Sequence, residues 1–281
     1  MDRLDELELA CRMNKFLVLG GTGTTGRRIA ERLRSAGHGV RTASRTGSDV
    51  RLDLDDPFTW PPALDGITAA YLMEPTVRPG DRLARFADVA LASGVRRLVL
   101  LSASRASDPA HPLHAVEQAV RGSDAEWTIL HPNWFAQNFT EGPWRNAVRS
   151  GTLALPAGDG RTPFIDADDI ADVATAALTT ADHNGRTYEL TGPEAITFTE
   201  AADQLTEAGL PVEYVALSPT DYTEQQVAQG VPRTGAELLT DILTSIANGY
   251  GGIPTADVEQ ALGRPARTFA ASARDRDTTS S

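Results

Sequence analysis

Lys15-Phe-Leu-Val-Leu-Gly-Gly-Thr-Gly-Thr-Thr-Gly26 is the stretch that decides the fold. Lys15–Gly20 is a short apolar run ending in glycine, which reads as a buried strand. After Gly26, the residues Ile29, Ala30 and Leu33 recur at helical spacing, and the pattern stops at Gly37. The turn between them satisfies both GxGxxG (Gly21, Gly23, Gly26) and GxxGxxG (Gly20, Gly23, Gly26). Glycines there permit a tight turn, close approach of backbone to a diphosphate, and close helix–strand packing. The free N–H groups at the helix start then face the phosphates, where the helix dipole favours anions. The plain alternative is a glycine-rich structural turn, but a position between strand and helix near the chain start points to a dinucleotide site. Gly20, Gly23, Thr24, Thr25 and Gly26 are its expected cofactor contacts.

Working outward, further strands are expected at 39–44, 50–54, 69–73, 97–102 and 127–130, with helices over 83–92 and 113–120 between them. That alternation implies an α/β, Rossmann-type, doubly wound parallel sheet with helices on both faces. Beyond about residue 150 helices lengthen and strands scatter. A helix is expected over Asp168–Leu178, with Asp168 and Asp169 at its positive end. Thr197-Phe-Thr-Glu200 fits a capping box, and Leu238, Leu239, Ile242, Leu243 and Ile246 form an apolar stripe on a late helix. The expected layout is an N-terminal extension (1–14), an NADP-binding Rossmann domain (15–150), a smaller, mainly helical substrate lobe (151–273) and a flexible tail (274–281).

An NAD site usually carries an acid at the end of the second strand, for the ribose hydroxyls. Here that strand ends Ala43-Ser44-Arg45, with no acid until Asp49. A carboxylate would repel a 2′-phosphate, whereas a guanidinium offers it bidentate, charge-assisted bonds. Ser44 and Arg45, with Arg27 in support, therefore point to NADP(H); a solvated loop arginine is the alternative. Asp53 and Leu54, after the third strand, stand where an adenine edge is often held, or else form a strand-end turn.

Composition narrows the partners. Of 281 residues, 41% are hydrophobic and 23% charged, the balance of a globular protein. The net charge of −12 argues against nonspecific nucleic-acid or anionic-membrane binding. No apolar run approaches the roughly 20 residues that span a bilayer. The first residues lack the basic and apolar regions of a secretory signal, and Cys11 is the only cysteine, so a reducing cytoplasm is expected.

Lysine usage bears on chemistry. Short-chain dehydrogenases commonly pair a tyrosine acid with a lysine four residues later. The five tyrosines are Tyr71, Tyr188, Tyr214, Tyr222 and Tyr250, and Lys15 is the only lysine, so no such pair exists. Hydride delivery to a cationic acceptor such as an iminium needs no strong acid, only positioning and field. Reduction of a carbonyl or quinone would need another donor: Ser102 at the end of the fifth strand, His111, His114 or water. Ser102 and His114 are the catalytic candidates, and each has a bland alternative as a strand-end serine or solvated histidine. Neither metal-ligand spacing nor a GxSxG elbow occurs.

With these residues in view, the chain resembles the NmrA-like branch of atypical short-chain dehydrogenases, and within it the festuclavine dehydrogenase group of ergot alkaloid reductases and bacterial relatives. The likeness rests on the glycine turn, Ala43-Ser-Arg45, and Trp127-Thr-Ile-Leu-His-Pro-Asn-Trp-Phe135 with Asn138-Phe139. Gly158-Asp-Gly-Arg-Thr-Pro-Phe-Ile-Asp-Ala-Asp-Asp-Ile170 and Leu190-Thr-Gly-Pro193 extend it, so that it covers about residues 15–270. It implies an NADPH-dependent reductase of a small, aromatic or alkaloid-like molecule, acting on iminium, imine, enone or quinone acceptors. It also implies that Met73 lies where the cofactor passes, and that Trp134, Phe135 and Asn138 face nicotinamide or substrate; the two aromatics have a core role as their alternative, favoured for Phe135, with Trp134 expected in the pocket. Some members only sense NADP(H) redox state, a non-catalytic alternative. His131 stands where relatives usually have arginine, which leaves any role of that arginine open.

Overall fold

The computed structural model describes residues 15–76, 80–106 and 108–275. The expected extension over 1–14 lies outside the described residues, as does the expected tail from 276 onward; Arg274 itself closes a helix, Phe269–Arg274. Two compact units emerge, and the chain passes between them more than once. One unit runs to Pro132 and takes back Ala167–Glu189; the other holds Asn133–Asp166 and everything from Leu190 on. The consecutive division expected at residue 150 therefore differs from the observed one. The residues after Pro132 pack into the aromatic core of the second unit, while a later helix and strand return to the sheet.

In the first unit the strands are β1 (Lys15–Leu19), β2 (Gly39–Ser44), β3 (Val50–Arg51), β4 (Ala69–Met73), β5 (Arg97–Leu101) and β6 (Glu126–Pro132). After β7 (Thr152–Leu155) and β8 (Arg161–Thr162) of the second unit comes β9 (Arg186–Leu190). The sheet order is β3-β2-β1-β4-β5-β6-β9. The pairs β1–β2, β2–β3, β1–β4, β4–β5 and β5–β6 are all parallel. Order reverses between β1 and β4, the switch point outside whose carboxyl ends open α/β sheets bind ligands. Because both faces are covered, β1 and β4 read as continuous apolar runs rather than alternating ones.

Helix Thr24–Ser35 buries Ile29, Ala30 and Leu33, the stripe read from the sequence. Helix Ala167–Thr179 packs beside it through ion pairs. Arg28 Nε lies 3.1 Å and Arg32 Nη2 2.6 Å from Asp168, and Arg32 Nε is 2.5 Å from Asp172. Asp168 thus spends its charge on a neighbouring helix as well as on its own helix end.

The second unit is built round Phe139, which meets Trp144, Phe164 and Phe269 edge-on at 4.9–5.2 Å. Thr197 and Glu200 form the expected capping box. Helix Arg233–Ala247 departs from the expected stripe. It buries Ala236, Thr240, Leu243 and Ile246, whereas Leu239 and Ile242 are exposed. Thr240 is tolerated inside because its hydroxyl meets Thr223 Oγ1 at 2.7 Å.

Candidate functional site

The glycine turn leaves β1 at the switch point. Gly20 takes φ +67°, a left-handed conformation that a side chain would strain, and its N–H donates to Ala43 O at 2.8 Å. Gly23 N–H returns to Gly20 O at 2.8 Å. A Cβ on Gly26 would stand 2.2 Å from Gly20 O, and one on Gly21 would stand 2.4 Å from Thr42 Cβ. The following helix has neither a side-chain cap nor an acid in its first turn. Its leading N–H groups therefore want an external acceptor, and its dipole is not quenched locally. A diphosphate fits that cradle.

Beside the turn lies a cleft of about 280 Å³, near the lower end of small-molecule sites at ~300–1,000 Å³. Gly20, Thr22 and Gly23 form one wall, Ser44, Arg45 and Thr46 a second, and Asp53, Leu54 and Asp55 a third. Met73, Pro75, Thr76 and Arg82 complete it. Seven of the expected cofactor residues, Gly20, Gly23, Ser44, Arg45, Asp53, Leu54 and Met73, thus line one cavity, although they come from four separate chain segments. The third strand is shorter than expected: it stops at Arg51, and Leu52–Asp55 form cleft wall instead.

Among the described residues two cations line this cleft, and they differ. Arg82 is saturated: it bonds to Glu74, to Asp55 Oδ2 at 2.5 Å and to Thr76 Oγ1 at 3.0 Å. The pairing with Glu74, whose side chain is almost wholly buried, holds its guanidinium above the usual range. Arg45 is exposed and has no hydrogen bond or ion pair among the described residues. Arg82 was not legible as a site residue, since nothing in its spacing from β4 marks it.

Three expected turn contacts lie just behind the lining. Thr25 is buried, with its hydroxyl 2.9 Å from Tyr71 OH, so it pins the helix start to β4 rather than offering a free donor. Gly26 is buried against the turn, and Thr24 O accepts from Arg28 Nη1. Their backbone N–H groups remain in the first turn.

Ser102 and His114 are not on this cleft. Ser102 is 6% exposed and donates to Glu117 Oε1 at 2.6 Å. Glu117, fully buried, also accepts from His131 Nε2 at 2.6 Å, and Arg121 stands 3.3 Å from its other oxygen. His131 Nδ1 meets Glu189 Oε1 at 2.6 Å, and Ser104 donates to Glu189 Oε2 at 2.7 Å. Burial alone would lower the His131 pKa, but the carboxylates Glu117 and Glu189 outweigh it and raise it to about 9. Burial pushes Glu117 up, and its bonds from His131 and Ser102 bring it below the ordinary carboxylate range. His131 is thus an imidazolium with each N–H on a carboxylate, a two-pronged cation where the family resemblance expects arginine. This cluster joins residues 102, 104, 117, 131 and 189, and no sequence pattern announces it. His114 Nδ1 donates to Ala106 O at 3.1 Å, and His111 Nδ1 accepts from Leu113 N–H at 3.1 Å.

Four of the five tyrosines are held in structural roles. Tyr71 is buried against Thr25, Tyr188 bonds His183 at 2.9 Å, and burial pushes Tyr214 up to about 12 and Tyr222 upward. In the second unit Trp134 stacks on Trp144 (5.2 Å, 24° between planes), at the edge of the aromatic core and partly exposed. Asn138 lies in the neighbouring 3-10 turn, half-buried, with its carbonyl accepting from Trp144 N–H.

Strand order, the glycine cradle and the cleft beside it define a dinucleotide-binding Rossmann domain. Comparison with known proteins gives the family: residues 20–181 match the model described as NAD(P)H-binding, and the chain belongs to that family. It is 34% identical over 268 residues to the uncharacterized oxidoreductase YesF of Bacillus subtilis, covering 92% of this chain and 93% of that one. Festuclavine dehydrogenase easG of Aspergillus fumigatus is 33% identical over 273 residues, covering 88% and 92%. Among solved structures, the Escherichia coli NADPH-dependent quinone oxidoreductase QOR2 in complex with NADPH shares the fold. Its TM-score is 0.76 at 24% identity, with 92% of this chain and 98% of that one covered. The protein is an NAD(P)H-dependent oxidoreductase. No helix among the described residues is long and apolar enough to cross a membrane.

Proposed function

We propose that this protein is an NADPH-preferring reductase that delivers hydride to a small organic acceptor of the iminium, imine, enone or quinone type, without a tyrosine–lysine pair. The observation that carries the coenzyme preference is Arg45, a cleft guanidinium just after β2 that has no partner among the described residues. The bound coenzyme supplies the hydride; the chain supplies the cradle, the phosphate contact and the field. In this reading Asp53, Leu54 and Met73 hold the adenosine side, and Trp134 and Asn138 contact an aromatic or alkaloid-like substrate. Likeness to a festuclavine dehydrogenase and to a quinone oxidoreductase supports an alkaloid-like or quinone acceptor.

Acceptors that need no protein acid fit best. The proton of Ser102 is committed to Glu117, and that of His114 Nδ1 to a carbonyl. Ser102 and His114 therefore enter the proposal only as the donors that a carbonyl or quinone substrate would recruit. The acidic chain and its single cysteine support a cytoplasmic enzyme with small-molecule rather than nucleic-acid partners.

The test is a spectrophotometric screen of NADPH oxidation across the four acceptor classes, with NADH in parallel. Turnover with at least one class, faster with NADPH, is expected. Arg45→Ala should reduce the NADPH-over-NADH preference about 10- to 100-fold, the worth of a charge-assisted contact of ~1.5–3 kcal/mol. An unchanged preference in that variant would remove Arg45 from the phosphate site.

A further inference from the structure

We infer that Asp49 is a positioning residue for coenzyme choice: it staples the β2–β3 turn into the shape that presents Arg45 to a 2′-phosphate. This rests on the NADPH reading of the cleft. From the sequence, Asp49 was only the nearest acid after Arg45, and a free carboxylate there would repel phosphate. Its geometry gives it another task.

Asp49 Oδ2 accepts three hydrogen bonds: from Thr42 N–H at 2.8 Å, Thr42 Oγ1 at 2.9 Å and Arg34 Nη2 at 2.8 Å. In return Asp49 N–H donates to Thr42 Oγ1 at 3.1 Å. The pair closes a loop from β2 to the start of β3. Inside that loop Ser44 Oγ donates to Thr46 O at 2.5 Å and lies 2.7 Å from Ser48 Oγ, while Gly47 makes the reversal at φ +75°. Ser44, Arg45 and Thr46 line the cleft, whereas Asp49 does not. The charge of Asp49 is therefore spent on the frame, and Arg34 offsets it. Thr42 also carries Gly21, whose missing side chain lets the diphosphate turn rest on it. One carboxylate thus holds the phosphate loop and braces the strand beneath the glycine turn. The donors also hold the carboxyl below its usual range, chiefly through the Thr42 backbone bond, so the staple persists at neutral pH.

The experiment is fluorescence titration of the full chain with NADPH and with NADH, for the parent, Asp49→Ala, Asp49→Asn and Arg45→Ala. Asp49→Ala should weaken NADPH about tenfold and NADH by no more than about twofold, as a loosened loop loses one charge-assisted contact. Asp49→Asn keeps an oxygen acceptor and should restore most of the preference. Should Asp49→Ala fold poorly in a thermal melt, Thr42→Val removes the two hydroxyl bonds of the staple while keeping the backbone and Arg34 bonds, and should give a smaller loss of the same selectivity. Equal weakening of both coenzymes, no change, or tighter NADPH binding in both Asp49 variants would overturn the inference. Arg45→Ala tests the underlying reading separately. If it keeps the preference, the phosphate site is wrong whatever Asp49 does; if it loses the preference while Asp49→Ala does not, only the staple is wrong.

Discussion

Replacing His131 by leucine is expected to cost about 3–5 kcal/mol of folding stability, the usual price of leaving a buried charge without its partner. His131 is 6% exposed and stands between Glu117, which is fully buried, and Glu189. Leucine would remove both N–H donors and leave Glu117 with only Ser102 and a longer contact to Arg121. The pH dependence makes the test specific. The folded His131 pKa, about 9, lies above the ordinary imidazole value of 6.5. Its stabilisation is therefore fully present below about pH 6.5 and is lost as pH rises through 9. Glu117 and Glu189 are both held below 4.5, so their contribution is present above that value and is lost on acidification. Stability should be greatest between the two limits. In His131→Leu the buried carboxylate has lost its nearer counter-charge and keeps only the longer contact to Arg121, so the deficit should shrink on acidification as the carboxyl takes up a proton. His131→Arg keeps a two-pronged cation that does not titrate near 9, and should flatten the alkaline fall. Denaturant melts from pH 4 to 10 read all three curves. A leucine variant as stable as the parent at pH 7 would show that the cluster carries no charge.

Gly26→Ala should abolish most coenzyme binding, by about 100-fold or more, the equivalent of ~3 kcal/mol of steric misfit. Its Cβ would stand 2.2 Å from Gly20 O, 2.7 Å from Gly20 C and 3.1 Å from Gly21 N. All three are backbone atoms of the same turn, so no side chain can swing aside. Either the helix start retreats or the turn opens, and both displace the N–H groups that grip the diphosphate. Gly23→Ala gives the contrast, because its Cβ would meet only Gly20 O, at 3.2 Å, a misfit that a shift of a few tenths of an ångström relieves. It should lose about tenfold or less. Titration with NADPH, alongside a thermal melt to confirm folding, separates the two. Equal affinities for both variants and the parent would mean that the turn does not carry the diphosphate.

Most of the sheet was legible because its signals are local. Apolar runs closed by glycine mark β1 and β4, and helical spacing after Gly26 marks the helix that follows. The expected helix over 113–120 appears as His114–Arg121, and the strand over 127–130 as Glu126–Pro132. The late apolar stripe misled because several neighbouring faces of one helix were apolar. Which face turned inward depended on what packed against it, so Thr240 is buried and Ile242 exposed. The unit boundary misled for a similar reason: no composition change marks Pro132, and the residues after it leave the sheet for an aromatic cluster whose members are far apart in the chain.

By itself the amino-acid order pointed to the dinucleotide turn and the parallel alternation of strand and helix, and it places no lysine four residues after a tyrosine. Each depends on residue types at short, countable spacings, where backbone stereochemistry and helix dipoles act. Folding in three dimensions decided which charges stay free. Arg82 and Arg45 look alike as letters, yet one is saturated by Glu74 and Asp55 while the other has no partner among the described residues. Ser102 and His131 likewise owe their states to Glu117, a residue on another element. Charge and proton ownership depend on distances of a few ångströms between remote segments, and only packing sets those.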